Sequence, residues 1–106
     1  MLEMEIGNFT YKVGKNDKEN DKLLDESNQN DLWFHLEGHA SPHGILFTNG
    51  GDVTKMELLE CANIVKMGSK LKNMKKVNVI YTQRRNVKKT DKLGQVIVKK
   101  TKVLQI

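Results

Sequence analysis

A chain of 106 residues with 38% hydrophobic side chains can bury one core but not two, so residues 1–106 are expected to form a single domain. No run of about 18 apolar residues is available to span a bilayer, so no membrane association is expected. The net charge of +5 is unevenly placed: residues 1–65 carry 5 Lys+Arg against 12 Asp+Glu, a net −7, while residues 66–106 carry 13 Lys+Arg against Asp91 alone, a net +12. Such a segment favours a phosphate polyanion as partner over a merely solvated lysine face, through Coulomb steering and counterion release.

The first residues, Met1 to Ile6, have neither the basic start nor the continuous apolar core of a secretory signal. Cytosolic or nuclear residence is expected, with the cytoplasm as the favoured compartment. The lone Cys61 can form no internal disulfide and agrees with a reducing compartment. From Glu5 to Val13 the residues Phe9, Tyr11 and Val13 alternate with Asn8, Thr10 and Lys12, which reads as one half-buried strand. The polar run Lys15 to Lys22 reads as a loop, because Asn and Asp side chains bond their own backbone. Asp17, Glu19 and Asp21 take the first three ligand spacings of a calcium loop, but Lys22 stands at its glycine position and Asn28 at its bidentate glutamate, so calcium is not expected. Leu23 and Leu24 suggest a short helical turn, followed by a polar loop from Asp25 to Asn30.

Next comes the densest chemistry in the chain, Asp31 to Phe47, which holds all three histidines, the only Trp and the only Pro. Leu32, Phe34 and Leu36 share one strand parity and Trp33, His35 and Glu37 the other, so both faces are bulky and the strand is expected to be central. Gly38 to Pro42 make a turn and Ile45 to Phe47 a returning strand. Thr54 and Glu57 have the spacing of a capping box, and Leu58, Leu59, Ala62 and Val65 form one apolar stripe ended by Gly68. After the basic linker Lys70 to Lys76, Val77 to Thr82 read as a strand, Gln83 to Leu93 as an exposed basic loop, and Gln95 to Lys99 as a strand pairing with Lys102 to Ile106 through a tight turn at Lys100–Thr101. The expected fold is therefore α+β, a largely antiparallel β-sheet packed against one main α-helix at about residues 54–68.

His35, His39 and His43 stand four apart, the spacing of a zinc-binding helix, but Gly38 and Pro42 oppose that helix and no metal is expected. Trp33 reads as core, with stacking on a base as the alternative. Cys61 reads as a buried structural thiol beside the apolar stripe. Paired carboxylates and a Walker-type glycine loop are absent from the sequence, so neither a catalytic set nor a cofactor is expected.

Taken together, Gly14-Lys-Asn, Asn20-Asp-Lys-Leu23, Asp31-Leu-Trp-Phe-His35, Ser41-Pro-His43, Val77 to Thr82, Val87-Lys-Lys89 and Gly94-Gln-Val96 resemble, in order and spacing, the NFACT-R domain. Its most specific element is Asp-x-Trp-Phe-His. Family members commonly read Gly-Ser-His-Val where this chain has Ser41-Pro42-His43-Gly44. The resemblance implies an RNA-binding module like that of the NFACT proteins of ribosome quality control, here in a stand-alone version without an NFACT-N domain or a long coiled coil. It implies tRNA or rRNA as partner, DNA as a further polyanion and association with the ribosome. Asp31, Trp33 and Phe34 would be structural signature residues. Charge for binding would come from Lys70, Lys72, Lys75 and Lys76 in the linker and from Arg84, Arg85, Lys88, Lys89 and Lys92 in the loop, with His35 and His43 bonding phosphate or 2′-hydroxyl groups. The alternative is a protein adaptor docking on an acidic partner or a ribosomal protein through the same face.

Overall fold

A computed structural model describes residues 1–106. Its strands are β1 (Leu2–Ile6), β2 (Phe9–Val13), β3 (Leu32–Leu36), β4 (Gly44–Phe47), β5 (Asn78–Gln83), β6 (Val87–Lys89), β7 (Val96–Val98) and β8 (Lys102–Gln105). Two helices, α1 (Asp17–Glu26) and α2 (Lys55–Met67), and a 3-10 turn at Arg84–Asn86 complete the chain. The fold is α+β, as expected. Six strands form one antiparallel sheet in the order β1-β2-β4-β3-β5-β8, and β6 and β7 form a separate two-stranded ribbon. The β3–β4 hairpin sits inside the sheet, which is why both parities of β3 are apolar or aromatic.

Each face of the sheet has its own apolar cluster. On one, Phe34 and Leu36 join Tyr11, Val13, Leu46 and Val79 beneath Cys61, Ala62 and Val65 of α2. On the other, Trp33 and Ile45 lie under Leu23 and Leu24 of α1 and Val87 of the ribbon. The domain thus has three layers, α2, sheet, and α1 with the ribbon, each burying its apolar face against the next. Helix α2 starts and stops where its residues require: Thr54 and Glu57 form a complete capping box, and the Gly68 N–H closes the last turn on Ile64 and Val65.

Three expectations are corrected. The strand expected from Glu5 to Val13 is a hairpin that begins at Leu2, with Ile6 facing Phe9 across a Gly7–Asn8 turn. Gly7 adopts φ +59°, a left-handed value that glycine takes at no steric cost. The polar run expected to be a loop from Lys15 to Lys22 is largely the first two turns of α1. There the Asn16 side chain accepts the Glu19 N–H at 2.9 Å and Glu19 accepts the Lys15 N–H at 2.9 Å, so turn-forming side chains serve as caps. Asn20, Leu23 and Leu24 then supply a buried stripe at helical spacing, and a second helix stands where one was not expected beyond a short turn.

The third correction concerns the basic segment. Instead of an exposed loop from Gln83 to Leu93, the chain makes the 3-10 turn and then β6, whose Val87 is buried. Its partner is β7, so Val96–Val98 does not pair with β8. The β8 strand pairs with β5 instead, with Val79 opposite Leu104. Burial decides this: Leu104 belongs to the α2-side core, while Val96 and Val98 pack against the α1-side cluster.

Candidate nucleic-acid interface

The histidine-containing signature is built into the sheet before it is offered to any ligand. Trp33 and His35, two residues apart on β3, stack at 5.5 Å with 6° between planes. His43, just before β4, meets both rings edge-on, 5.5 Å from Trp33 and 5.0 Å from His35. The Trp33 indole N–H donates to His43 Nδ1 at 3.2 Å, so that nitrogen must be unprotonated. Burial, aided by the neighbouring His35, pushes the His43 imidazole down to about 3. Burial also lowers His35, against the opposing effect of its Nδ1–H donating to the Leu36 carbonyl at 2.6 Å.

The His43 backbone completes a knot. Its N–H donates to Asn20 Oδ1 at 3.2 Å and its carbonyl accepts the Gly14 N–H at 3.0 Å, tying α1 and the end of β2 to β4. Trp33 is buried in the core, and His43 is only 3% exposed. Of the two histidines expected to touch nucleic acid, therefore, only His35 is partly open to solvent, while His43 is a core acceptor. His39 is exposed in the turn and outside this stack.

Asp31, fully buried, holds two loops together: its carboxylate accepts the Asn28 N–H at 2.7 Å and the Asn49 N–H at 2.8 Å. Its carbonyl accepts the Arg84 N–H at 2.8 Å, which seats the 3-10 turn against the same corner. Phe34 packs edge-to-face with Tyr11 at 5.8 Å and is stacked with Tyr81 at 5.7 Å. Asp31, Trp33 and Phe34 thus share one property, burial at the junction of the central hairpin with its neighbours.

The cations divide by what they touch. Arg84 points inward: Nε donates to the Leu24 carbonyl and to Ser27 Oγ, both at 3.1 Å, and another guanidinium nitrogen donates to the Val87 carbonyl at 2.7 Å. It closes the C-terminal end of α1, and burial lowers its pKa. Lys89 bridges Asp21 at 3.0 Å and Asp25 at 2.6 Å on α1, and the bond to Asp25 foremost raises its pKa. Arg85 is exposed and donates to the Asn30 side-chain carbonyl. Lys70, Lys72, Lys75 and Lys76 are exposed on the connection between α2 and β5, Lys88 on the ribbon, and Lys92 in the ribbon's turn. Among the 13 bases of residues 66–106, Lys89 alone forms an ion pair; the other pairs join Met1, Lys12 and Lys22 to acids of the first half. The acidic surplus of residues 1–65 therefore leaves the basic surplus of residues 66–106 largely unneutralised.

Three cations outside the expected set, Lys99, Lys100 and Lys102, are exposed beside the 3-10 turn. They line two cavities that meet at Asn86. In the sequence these lysines sit within or between apparent strands, and only the change of partner between β7 and β8 brings Lys99 into one wall with Arg85 and Lys88 and leaves Lys100 and Lys102 in the cavity on the other side of Asn86. A signal for them existed in the run Lys99-Lys100-Thr101-Lys102, which continues the cationic excess to the end of the chain.

Comparison with known proteins agrees with this architecture. Residues 4–100 match the NFACT protein RNA binding domain, and the chain belongs to that family. Coiled-coil domain-containing protein 25 of Bos taurus is 37% identical over 90 residues, covering 77% of this chain and 42% of that protein. The Danio rerio protein of the same name is 32% identical over 107 residues, covering 92% of this chain and 50% of that protein. The chain thus spans half or less of the length of these relatives. A solved structure of the C-terminal part of the fibronectin/fibrinogen-binding protein from Streptococcus suis superposes with a TM-score of 0.87 at 25% identity, covering 94% of this chain and 41% of that one. No helix of this chain is long and apolar enough to cross a membrane.

Proposed function

We infer that the chain is an RNA-binding module working in translation, with tRNA or ribosome-associated structured RNA as its ligand and ribosome quality control in the cytoplasm as its setting. The family is an RNA-binding domain. The observation that carries the reading further is that 12 of the 13 bases of residues 66–106 take no part in an ion pair. Unpaired surface lysines cost solubility nothing, but a cluster with one acid beside it creates a field that a polyanion relieves by releasing its counterions. The flexible linker lysines supply point charge that follows an irregular phosphate backbone, and Arg85 and Lys88 on the turn and ribbon add cations held on rigid backbone.

Titrating the protein with tRNA across a salt series tests this. With about five phosphates neutralised, log affinity should fall against log salt with a slope of roughly 3.5 to 4.5. A flat response, or no binding to naked RNA together with capture of one discrete acidic protein, would overturn it in favour of an adaptor.

A further inference from the structure

The 3-10 turn and the β7–β8 connection form a device that RNA binding by charge alone does not require. Lys100 has φ +54°, a left-handed conformation unfavourable for a residue with a Cβ. Thr82, only 5% exposed, holds it there by sharing its hydroxyl proton between the Lys99 carbonyl at 3.3 Å and the Lys100 carbonyl at 3.1 Å. Asn86 Nδ2 donates to that same hydroxyl oxygen at 2.9 Å, and the Asn86 carbonyl accepts the Lys99 N–H at 3.1 Å. Thr82 and Asn86 therefore clamp a strained Lys99–Lys100 backbone from the sheet side.

On either side of the clamp lies a cavity. One, of about 370 Å³, is lined by Tyr81, Lys100 and Lys102 among others; the second, of about 350 Å³, is lined by Arg85, Lys88 and Lys99 among others. Asn86 lines both, and neither has an acidic residue in its wall. Both volumes suit a nucleotide-sized group, within the range of small-molecule sites of about 300–1,000 Å³. Tyr81 is stacked on Phe34 and so is held rigid where it borders the first cavity.

We propose that these two cavities are one cleft for a single-stranded RNA segment, with a base against Tyr81 and successive phosphates on the two sides of Asn86. Lys100 and Lys102 hold the phosphate on the Tyr81 side, and Arg85, Lys88 and Lys99 hold the next. Cations grouped beside an aromatic ring packed on Phe34 suit an unpaired strand, whose bases are free to stack; a duplex hides its bases and offers only the phosphates. The strain at Lys100 is then the conformational cost of aiming its side chain into the cleft. This proposal rests on the RNA-binding reading above and assigns it a site.

The test compares a 12-nucleotide single-stranded RNA carrying 2-aminopurine with tRNA, using the wild-type chain and three variants. Lys100→Gly removes the charge and relieves the backbone, so its thermal midpoint should rise by about 2–5 °C while single-strand affinity falls roughly tenfold. Tyr81→Leu keeps apolar packing on Phe34 and should abolish quenching of the probe base while leaving the salt slope intact. The four-fold variant of Lys70, Lys72, Lys75 and Lys76 to Ala should weaken tRNA binding but keep base quenching. If wild type binds tRNA with the expected salt slope while Lys100→Gly and Tyr81→Leu bind and quench as wild type does, the cleft is wrong and the general reading stands. If wild type binds neither RNA, both readings fall.

Discussion

A buried imidazole acting only as an acceptor couples the signature residues to pH. His43 accepts the Trp33 indole N–H and sits beside His35, so protonating it would break a buried hydrogen bond and place charge against a second histidine. Its pKa falls from an ordinary value near 6.5 to about 3 in the folded chain, so between those values the unfolded chain binds the proton and the folded chain does not. The stability contributed by neutral His43 is therefore complete above pH 6.5 and is lost as pH falls toward 3, amounting to roughly 5 kcal/mol at about 1.4 kcal/mol per unit. Urea unfolding of wild type and His43→Gln at pH 7 and pH 4 checks this. Gln can accept the indole N–H without titrating, so the drop between the two pH values should shrink in the variant. The neighbouring Gly44 follows the same close-packed logic: a Cβ there would lie 2.1 Å from the Tyr11 hydroxyl, which donates to the Cys61 carbonyl at 2.8 Å. Any side chain at position 44 would have to displace that tyrosine from the core.

Among the elements, α1 depends most on distant parts of the chain. Its start is local, since Asn16 and Glu19 cap it, but its end is held by Arg84, which reaches Leu24 and Ser27 from the 3-10 turn. The Lys89 bridge to Asp21 and Asp25 adds a second tie from the ribbon, on a lysine still partly open to water, where screening keeps the contribution of charge small. Arg84→Ala should therefore act as a cap deletion, costing roughly 1–3 kcal/mol as helix-end and Val87 carbonyls lose a charged donor. Chemical denaturation measures that loss, and tRNA affinity measured alongside should change less than about twofold, because the Arg84 guanidinium, although it borders the second cavity, spends its hydrogen bonds on Leu24, Ser27 and Val87. A large loss of affinity without a loss of stability would instead make Arg84 a phosphate ligand.

Across the whole molecule, charge separation in sequence becomes charge separation on the surface through what stays unpaired. Acids of residues 1–65 are used at helix starts, in the Asp31 loop tie and against Lys12, Lys22 and Lys89. Most cations of residues 66–106 are left facing solvent on the α2–β5 connection, the ribbon and the β7–β8 connection. The linker lysines and the clamped lysines should thus contribute separately. Changing Lys70, Lys72, Lys75 and Lys76 to Ala should lower the salt slope by about one for each phosphate that is no longer neutralised, without moving the thermal midpoint, since all four side chains lie on the surface of an irregular connection. Salt-series binding and a thermal scan on the same sample decide it.

Local signals were legible where cause and effect lie close along the chain. The Thr54–Glu57 capping box, the α2 stripe from Leu58 to Val65, the central hairpin around Gly38–Pro42 and the Asp31 to His35 signature all operate over a few residues, so the sequence by itself determined the α+β class, the family resemblance and the surplus of cations. Even α1 carried its own caps, though its polar composition concealed them. Only the tertiary structure decided which partner each element meets. Leu104 is buried beside Val79 whereas Val96 and Val98 lie across the ribbon from Lys89 and Val87, Arg84 closes a helix 60 residues away, and His43 is enclosed by two rings of β3. Burial and partner choice are properties of distant segments brought together, settled by which apolar face each strand can cover. The free lysines are those that this arrangement leaves over.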